Sequence, residues 1–195
     1  MPEGYVVKIG GSLIDAVRPV MNEVISAGVP VLIVPGGGIF ADAVRAQNPD
    51  DDAAHWEAIA SMNRYGRFLS TFGAPVTDAL AMPDAGTAVF LPETVLRRAD
   101  PLPHSWDVTS DSIALWAAGR LGAPLLLVKS CAGDVSSPDF VDAYFSVLKK
   151  RVSVDVHAVS GRAAGEIARY FADRKATRLL HAETNKVRSS ILWHL

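Results

Sequence analysis

Residues 4–14 read GYVVKIGGSLI, a short apolar run that carries one lysine, Lys8, near its end and breaks into Gly10, Gly11 and Ser12. Lysine beside glycines points to phosphate chemistry. The order excludes the common phosphate loop, in which the lysine follows the glycines as G-x-x-x-x-G-K-[ST]. No Gly-Lys pair occurs anywhere in the chain. Strand geometry, rather than a wrapped loop, would have to aim this lysine, with the glycines clearing space ahead of it.

A second stretch of the same kind follows at 29–40, VPVLIVPGGGIF, where an apolar run meets Gly36, Gly37 and Gly38 before a helix-period segment. Glycines let a backbone approach a ligand without side-chain obstruction, and helix N-termini point N–H groups at an anion. Each glycine also costs backbone entropy on folding, so three in a row exceed what a simple turn needs. Neither cluster has the spacing of the dinucleotide fingerprint G-x-G-x-x-G.

Around these turns, apolar runs alternate with amphipathic segments. Strands are expected over Val6 to Ile9, Val29 to Val34, Ala88 to Leu91 and Leu125 to Val128, with a weaker one over Thr177 to Leu180. Helices are expected over Pro19 to Ala27, Ile39 to Ala46, Ala54 to Phe72, Pro92 to Ala99, Ser110 to Leu121, Phe140 to Lys150 and Ala163 to Ala172. Such alternation predicts an α/β fold, with a mainly parallel open sheet covered on both faces. Both glycine turns then fall at carboxyl ends of strands, where open α/β sheets bind ligands. Residues 47–52 and 102–106 are the expected exposed loops, and the 195 residues read as one domain without internal repeats.

Composition narrows the function further. Hydrophobic residues make up 49% and charged residues 21%, ordinary for a globular chain, and the net charge of -2 offers no field for nucleic acid. Cys131 is the only cysteine, so an intrachain disulfide is impossible and a cytosolic location is expected. No apolar run approaches the roughly 20 residues needed to cross a bilayer.

Two more segments complete a chemical inventory. Residues 106–123 place Asp107 in a loop and Asp111 in the first turn of a helix, where a carboxylate can simply complement the helix dipole. Residues 124–135, PLLLVKSCAGDV, form a second apolar strand ending in Lys129, followed by Asp134. Lys129 can be read as a snorkelling edge residue, but Lys8 and Lys129 reach the same edge of the sheet. Phosphoryl transfer needs cations and backbone donors around charge developing on the transferred group.

The blocks VVKIGGSLI, VLIVPGGGIFADAVR, TSDSIALWAAGRLGA and LLLVKSCAGD together resemble the amino acid kinase family, in its order. The resemblance implies a three-layer αβα sandwich, with an acceptor side over about 1–110 and a nucleotide side over about 111–182. It implies ATP with Mg²⁺ as phosphoryl donor, a small-molecule acceptor and a homo-oligomer. Lys8, Asp111 and Lys129 would be catalytic, with Asp111 orienting the lysines. Gly10, Gly11, Ser12, Lys129 and Asp134 would hold the nucleotide phosphates, and Gly36, Gly37 and Gly38 would face the acceptor. Mg²⁺ would bridge phosphate oxygens, so no cluster of protein metal ligands is expected.

A narrower likeness rests on AHWEAIASMNRYG, SWDVTSDSIA, FVDAYF and VSGRAAGEIARYF. These resemble a short branch that converts aminomethylfuranylmethyl phosphate to its diphosphate in methanofuran synthesis. His55, Trp56 and Asp107 would then meet the furan and ammonium end, although His55 and Trp56 equally fit a packed helix face. Arg64 or Arg67 would stand near an acceptor phosphate. The alternatives are a kinase of another carboxylate or phosphate acceptor, and a non-catalytic nucleotide- or oxyanion-binding protein. The sequence departs from the family at Ser130 to Ser137, with Val135 where glycine is expected, and it shows no second catalytic lysine beyond Lys129, leaving Arg162 as another cation. The segment Thr184 to Leu195 has no family counterpart.

Overall fold

The computed structural model describes residues 4–177 and Leu179. Its sheet contains β1 (Tyr5–Ile9), β2 (Val31–Pro35), β3 (Val76–Thr77), β4 (Thr87–Phe90), β5 (Leu125–Lys129) and β6 (Val156–Ser160). Their order is β3-β4-β2-β1-β5-β6, and every pairing is parallel. The helices are α1 (Val17–Ile25), α2 (Gly38–Gln47), α3 (Asp51–Ser70), α4 (Glu93–Ala99), α5 (Ser110–Leu121), α6 (Ala143–Lys149) and α7, described over 166–177. The α/β fold with an open parallel sheet is the one the alternating pattern predicts.

Strand parity builds two cores. Val6, Leu32, Val34, Phe90, Leu125 and Leu127 pack on one face against Ile59 and Met62 of α3, Ile113 and Leu115 of α5 and Phe145 of α6. Val7, Ile9, Ile33, Val89, Leu126 and Val128 pack on the other against Val20, Met21 and Val24 of α1 and Ile167 and Phe171 of α7. Since alternate side chains share a face, Lys8 continues the Val6 row and Lys129 continues the Leu125–Leu127 row. Both lysines therefore leave the sheet on the α5 side, at the strand carboxyl ends.

Several boundaries differ from expectation for local reasons. Asp50 caps α3 by accepting from the Ala53 N–H at 2.9 Å, so Asp51 and Asp52 are helical and the loop shrinks to 48–50. β3 is only two residues long, and the edge strand β6 is mostly half-exposed, so neither carries a continuous apolar run. The strand expected over Thr177 to Leu180 is replaced by helix at Thr177 and Leu179, while Arg178 and Leu180 lie outside the described residues. Thr184 to Leu195 also lies outside them. No helix among the described residues is long and apolar enough to cross a membrane.

Candidate active site

Strand register sets the centre of the site. Lys8 lies opposite Leu127 and Ile9 opposite Val128, so Lys129 stands two pairs farther toward the carboxyl edge than Lys8, on the same face. Asp111, in the first turn of α5, enters between them. Lys8 Nζ lies 2.8 Å from Asp111 Oδ1, and Lys129 Nζ donates to Oδ2 at 2.7 Å. The Lys8 contact is an ion pair without hydrogen-bond alignment, whereas the Lys129 contact is directed. The Asp111 and Lys8 side chains are 6% and 7% exposed and that of Lys129 20%, so this bridge is shielded from water screening.

Burial alone would raise the Asp111 carboxyl, but Lys8 and then Lys129 outweigh it and hold the group below its ordinary value. Asp111 is thus an ionised bridge with both oxygens engaged. It can orient the two ammonium groups, and with its pKa held down by two cations it is a poor base. Lys129 also donates to the Phe140 carbonyl and lies 4.7 Å from the centre of that ring. It is held by three contacts rather than snorkelling into solvent.

The glycine turns abut one another. A Cβ on Gly11 would come within 2.1 Å of the Gly38 nitrogen, and one on Gly36 within 2.5 Å of the Gly11 nitrogen. Gly38 itself has φ +56°, in the left-handed region that favours glycine. Gly36 N–H donates to the Ile9 carbonyl at 2.8 Å, and the Gly10 N–H to the Val128 carbonyl at 2.9 Å. Tyr65 of α3, its hydroxyl pKa raised by burial, reaches the Gly10 carbonyl at 3.4 Å. On the other side, Arg162 forks onto Asp15 at 3.0 and 2.8 Å and donates to the Ser12 carbonyl. Arg162 therefore braces the glycine turn.

A cavity of about 390 Å³ opens beside this centre. Gly11, Ser12, Gly37, Gly38, Thr109 and Ser110 line one part of it, so α2 and α5 both begin at its wall. That arrangement suits an anion, because the leading N–H groups of a helix lack intrahelical partners. His55 and Trp106 line it as well, and its charged lining residues are Asp42 and Arg45.

The remaining expected residues fall elsewhere. Trp56 packs edge-on to His55 and His104 and carries the Arg97 guanidinium on its ring, outside the cavity lining. Asp107 is exposed and also outside it; its N–H bonds Ser105 Oγ and its carbonyl accepts from Tyr144. Asp134 accepts from the Ser136 N–H at 2.8 Å, shaping the loop after β5, and that bond lowers its pKa. Arg64 and Arg67 are exposed, and the arginine lining the cavity is Arg45.

Sequence reading did not single out Asp42, Arg45, Tyr65, Trp106 or Asp142. Asp42 and Arg45 had a usable signal, being one turn apart on the helix that follows the glycines. Asp142 accepts from Thr109 N–H and Oγ1, from Ser112 N–H and Oγ, and from Phe145 N–H. It flanks Asp111 on both sides without touching it. No group of three or more histidine, cysteine or acidic residues converges as a metal site among the described residues. The Asp111 carboxylate is committed to the two lysines.

A parallel α/β sandwich with two lysines converging on a buried aspartate, between glycine turns, defines a phosphotransferase class of protein. The chain belongs to the amino acid kinase family, whose family model matches residues 4–133. It is 29% identical over 191 residues to a [5-(aminomethyl)furan-3-yl]methyl phosphate kinase from Methanocaldococcus jannaschii, covering 81% of this chain and 88% of that protein. Its fold matches uridylate kinase from Archaeoglobus fulgidus with TM-score 0.61 and 14% identity, over 86% of this chain and 95% of that one. An isopentenyl phosphate kinase structure matches with TM-score 0.53 and 14% identity, over 87% of this chain and 96% of that one.

Proposed function

We propose that this kinase transfers the γ-phosphoryl group of ATP to a small phosphate monoester, [5-(aminomethyl)furan-3-yl]methyl phosphate, giving the diphosphate. The single observation that carries the chemistry is the buried Lys8–Asp111–Lys129 bridge at the carboxyl edge of the sheet. The Methanocaldococcus relative supports the choice of acceptor.

In this proposal an oxygen of the acceptor phosphate attacks Pγ, the bond from Pγ to the β-bridging oxygen breaks, and ADP leaves with that electron pair. The attacking oxygen is already ionised in a phosphate dianion, so no general base is required, in keeping with an Asp111 paired to two lysines. Lys8 and Lys129 stabilise charge on the transferring group, and Asp111 fixes their positions. Gly11 and Ser12 bring backbone and hydroxyl donors to the same group, while Gly10, whose N–H is taken by the Val128 carbonyl, fixes the turn that presents them. Gly37 and Gly38 face the acceptor from α2, with Gly36 making room for the turn. The nucleotide lies on the β5–β6 side, along Lys129 and the Asp134 loop, and Mg²⁺ accompanies its phosphates.

The test is ADP release with Mg²⁺-ATP across the furan monophosphate, UMP, isopentenyl phosphate and acetylglutamate. The furan acceptor should give the highest kcat/KM. Turnover confined to acetylglutamate would overturn the phosphate-monoester reading. Lys8→Ala should lower kcat by about 10²–10³-fold while ATP binding remains measurable by calorimetry. Equal loss of binding and turnover would mark Lys8 as a plain ligand contact.

A further inference from the structure

His55 is a polar side chain in an uncommon position. It is 7% exposed, lines the acceptor cavity, and has no hydrogen-bond partner for either ring nitrogen among the described residues. Its ring nitrogens are not sealed off from the cavity, so a ligand there could hydrogen-bond to the ring.

The groups behind His55 decide its charge. Its ring stacks on His104 with centroids 4.2 Å apart and planes 16° from parallel. His104 Nδ1 meets Asp52 at 2.6 Å, and Nε2 meets Asp100 at 2.8 Å. With both nitrogens facing carboxylates, His104 is held in its charged form, and its pKa is raised by Asp100 first and Asp52 next. Burial, and then the charge on His104, push the His55 pKa down to about 4. Asp100 and Asp52 oppose that shift and Arg97 adds to it, but His55 remains a neutral imidazole at physiological pH. Its neutral ring can accept a hydrogen bond, whereas a protonated ring could only donate.

Charge elsewhere in this part of the molecule agrees with that role. A charged His104 with Asp52 and Asp100 sums to a net charge of -1 behind the ring. Asp42 lines the cavity as well. The cation lining it, Arg45, has its guanidinium 4.5 Å from the centre of the Trp106 ring, where the aromatic face draws its charge.

We propose that His55 and Asp42 form a seat for a protonated primary amine at the far end of the acceptor, with His55 accepting a hydrogen bond and Asp42 supplying the counter-charge. This rests on the functional reading above and adds the residues by which the acceptor's amine is recognised. His104 is a positioning residue, which fixes both the plane and the neutrality of His55. A carboxylate in the amine's place would meet Asp42 and an imidazole unable to become a cation.

The test compares the aminomethyl furan monophosphate with an analogue bearing methyl in place of aminomethyl. The unaltered protein should favour the amine by at least about tenfold in kcat/KM. His55→Leu and Asp42→Asn should each erase most of that preference by raising KM for the amine acceptor alone. KM for ATP and kinetics with the methyl analogue should stay within about twofold. His55→Gln, whose carboxamide oxygen still accepts, should retain most of the preference and guards against a folding artefact. Equal losses on both acceptors would overturn the amine seat and make His55 a packing residue. Turnover of neither furan compound by the unaltered protein would overturn the functional reading, and the seat with it.

Discussion

Between pH 4 and 6.5 the stacked rings of His55 and His104 should hold opposite protonation states, although free histidines titrate alike. The consequences for stability have opposite signs. His55 has its folded-state pKa depressed from 6.5 to about 4, so its contribution is intact above 6.5 and is lost as pH falls toward 4. His104 has its folded-state pKa raised, so its contribution is complete below 6.5 and is lost as pH rises through the folded value. A histidine-resolved NMR titration should show the His104 ring protonating first, with His55 unchanged until near pH 4. Denaturant melts of His55→Phe should lose the acid-side decline between pH 6.5 and 4. Simultaneous titration of the two rings would remove the basis for a neutral His55.

At the scale of elements, α5 begins without a side-chain cap of its own. Thr109 occupies the N-cap position but makes no capping bond, and the carboxylate of Asp142 serves instead. Asp142 also caps α6 by accepting from Phe145 N–H, so one side chain joins the starts of two helices. Replacing an N-cap costs about 0.5–2 kcal/mol, so Asp142→Ala, which removes two, should cost about 1–4 kcal/mol in denaturant unfolding. It should also lower kcat more than KM for ATP, because Asp111 lies between Thr109 and Ser112. A loss below 0.5 kcal/mol would show that water replaces the cap. The same elements show what could be read from sequence alone. Lys8 and Lys129 were legible because a strand ending in lysine fixes direction, and parity fixes the face. Asp111 on its own read as a complement to the helix dipole and stood out only through the family resemblance. Asp142 was not legible, because its partners lie up to 33 residues away and depend on how α5 and α6 pack. Nor could sequence choose Trp106 over Trp56 or Asp42 over Asp107, since that depends on the rotation of α2 and α3 about their axes. The two missed strands sit at the sheet's edges, where half-exposed side chains erase the apolar signal that marks β1, β2 and β5.

Across the whole molecule, the strand order divides the labour. β1 carries Lys8 at the middle of the sheet, with β2 and the cavity on one side and β5 and β6 on the other. Asp111 reaches both lysines, so the bridge marks the line at which two bound substrates would meet. Each substrate bound alone should therefore protect a different part of the backbone from hydrogen exchange. The furan monophosphate should slow exchange in the first turns of α2 and α3 and across residues 105–113. A non-hydrolysable ATP analogue should slow it across residues 129–142 and at the turn after β6, where Gly161 N–H bonds the Lys129 carbonyl at 2.7 Å. At one hundred times its Kd, a ligand stabilises the bound state by about 2.7 kcal/mol, or roughly a hundredfold in exchange rate for amides that exchange only when the ligand has left. Because Asp111 couples to both lysines, residues 109–112 should be slowed by either ligand and most by the two together. Protection of α2 and α3 by the ATP analogue alone, with residues 129–142 unaffected, would reverse the assignment of the two sides while leaving the bridge at their boundary.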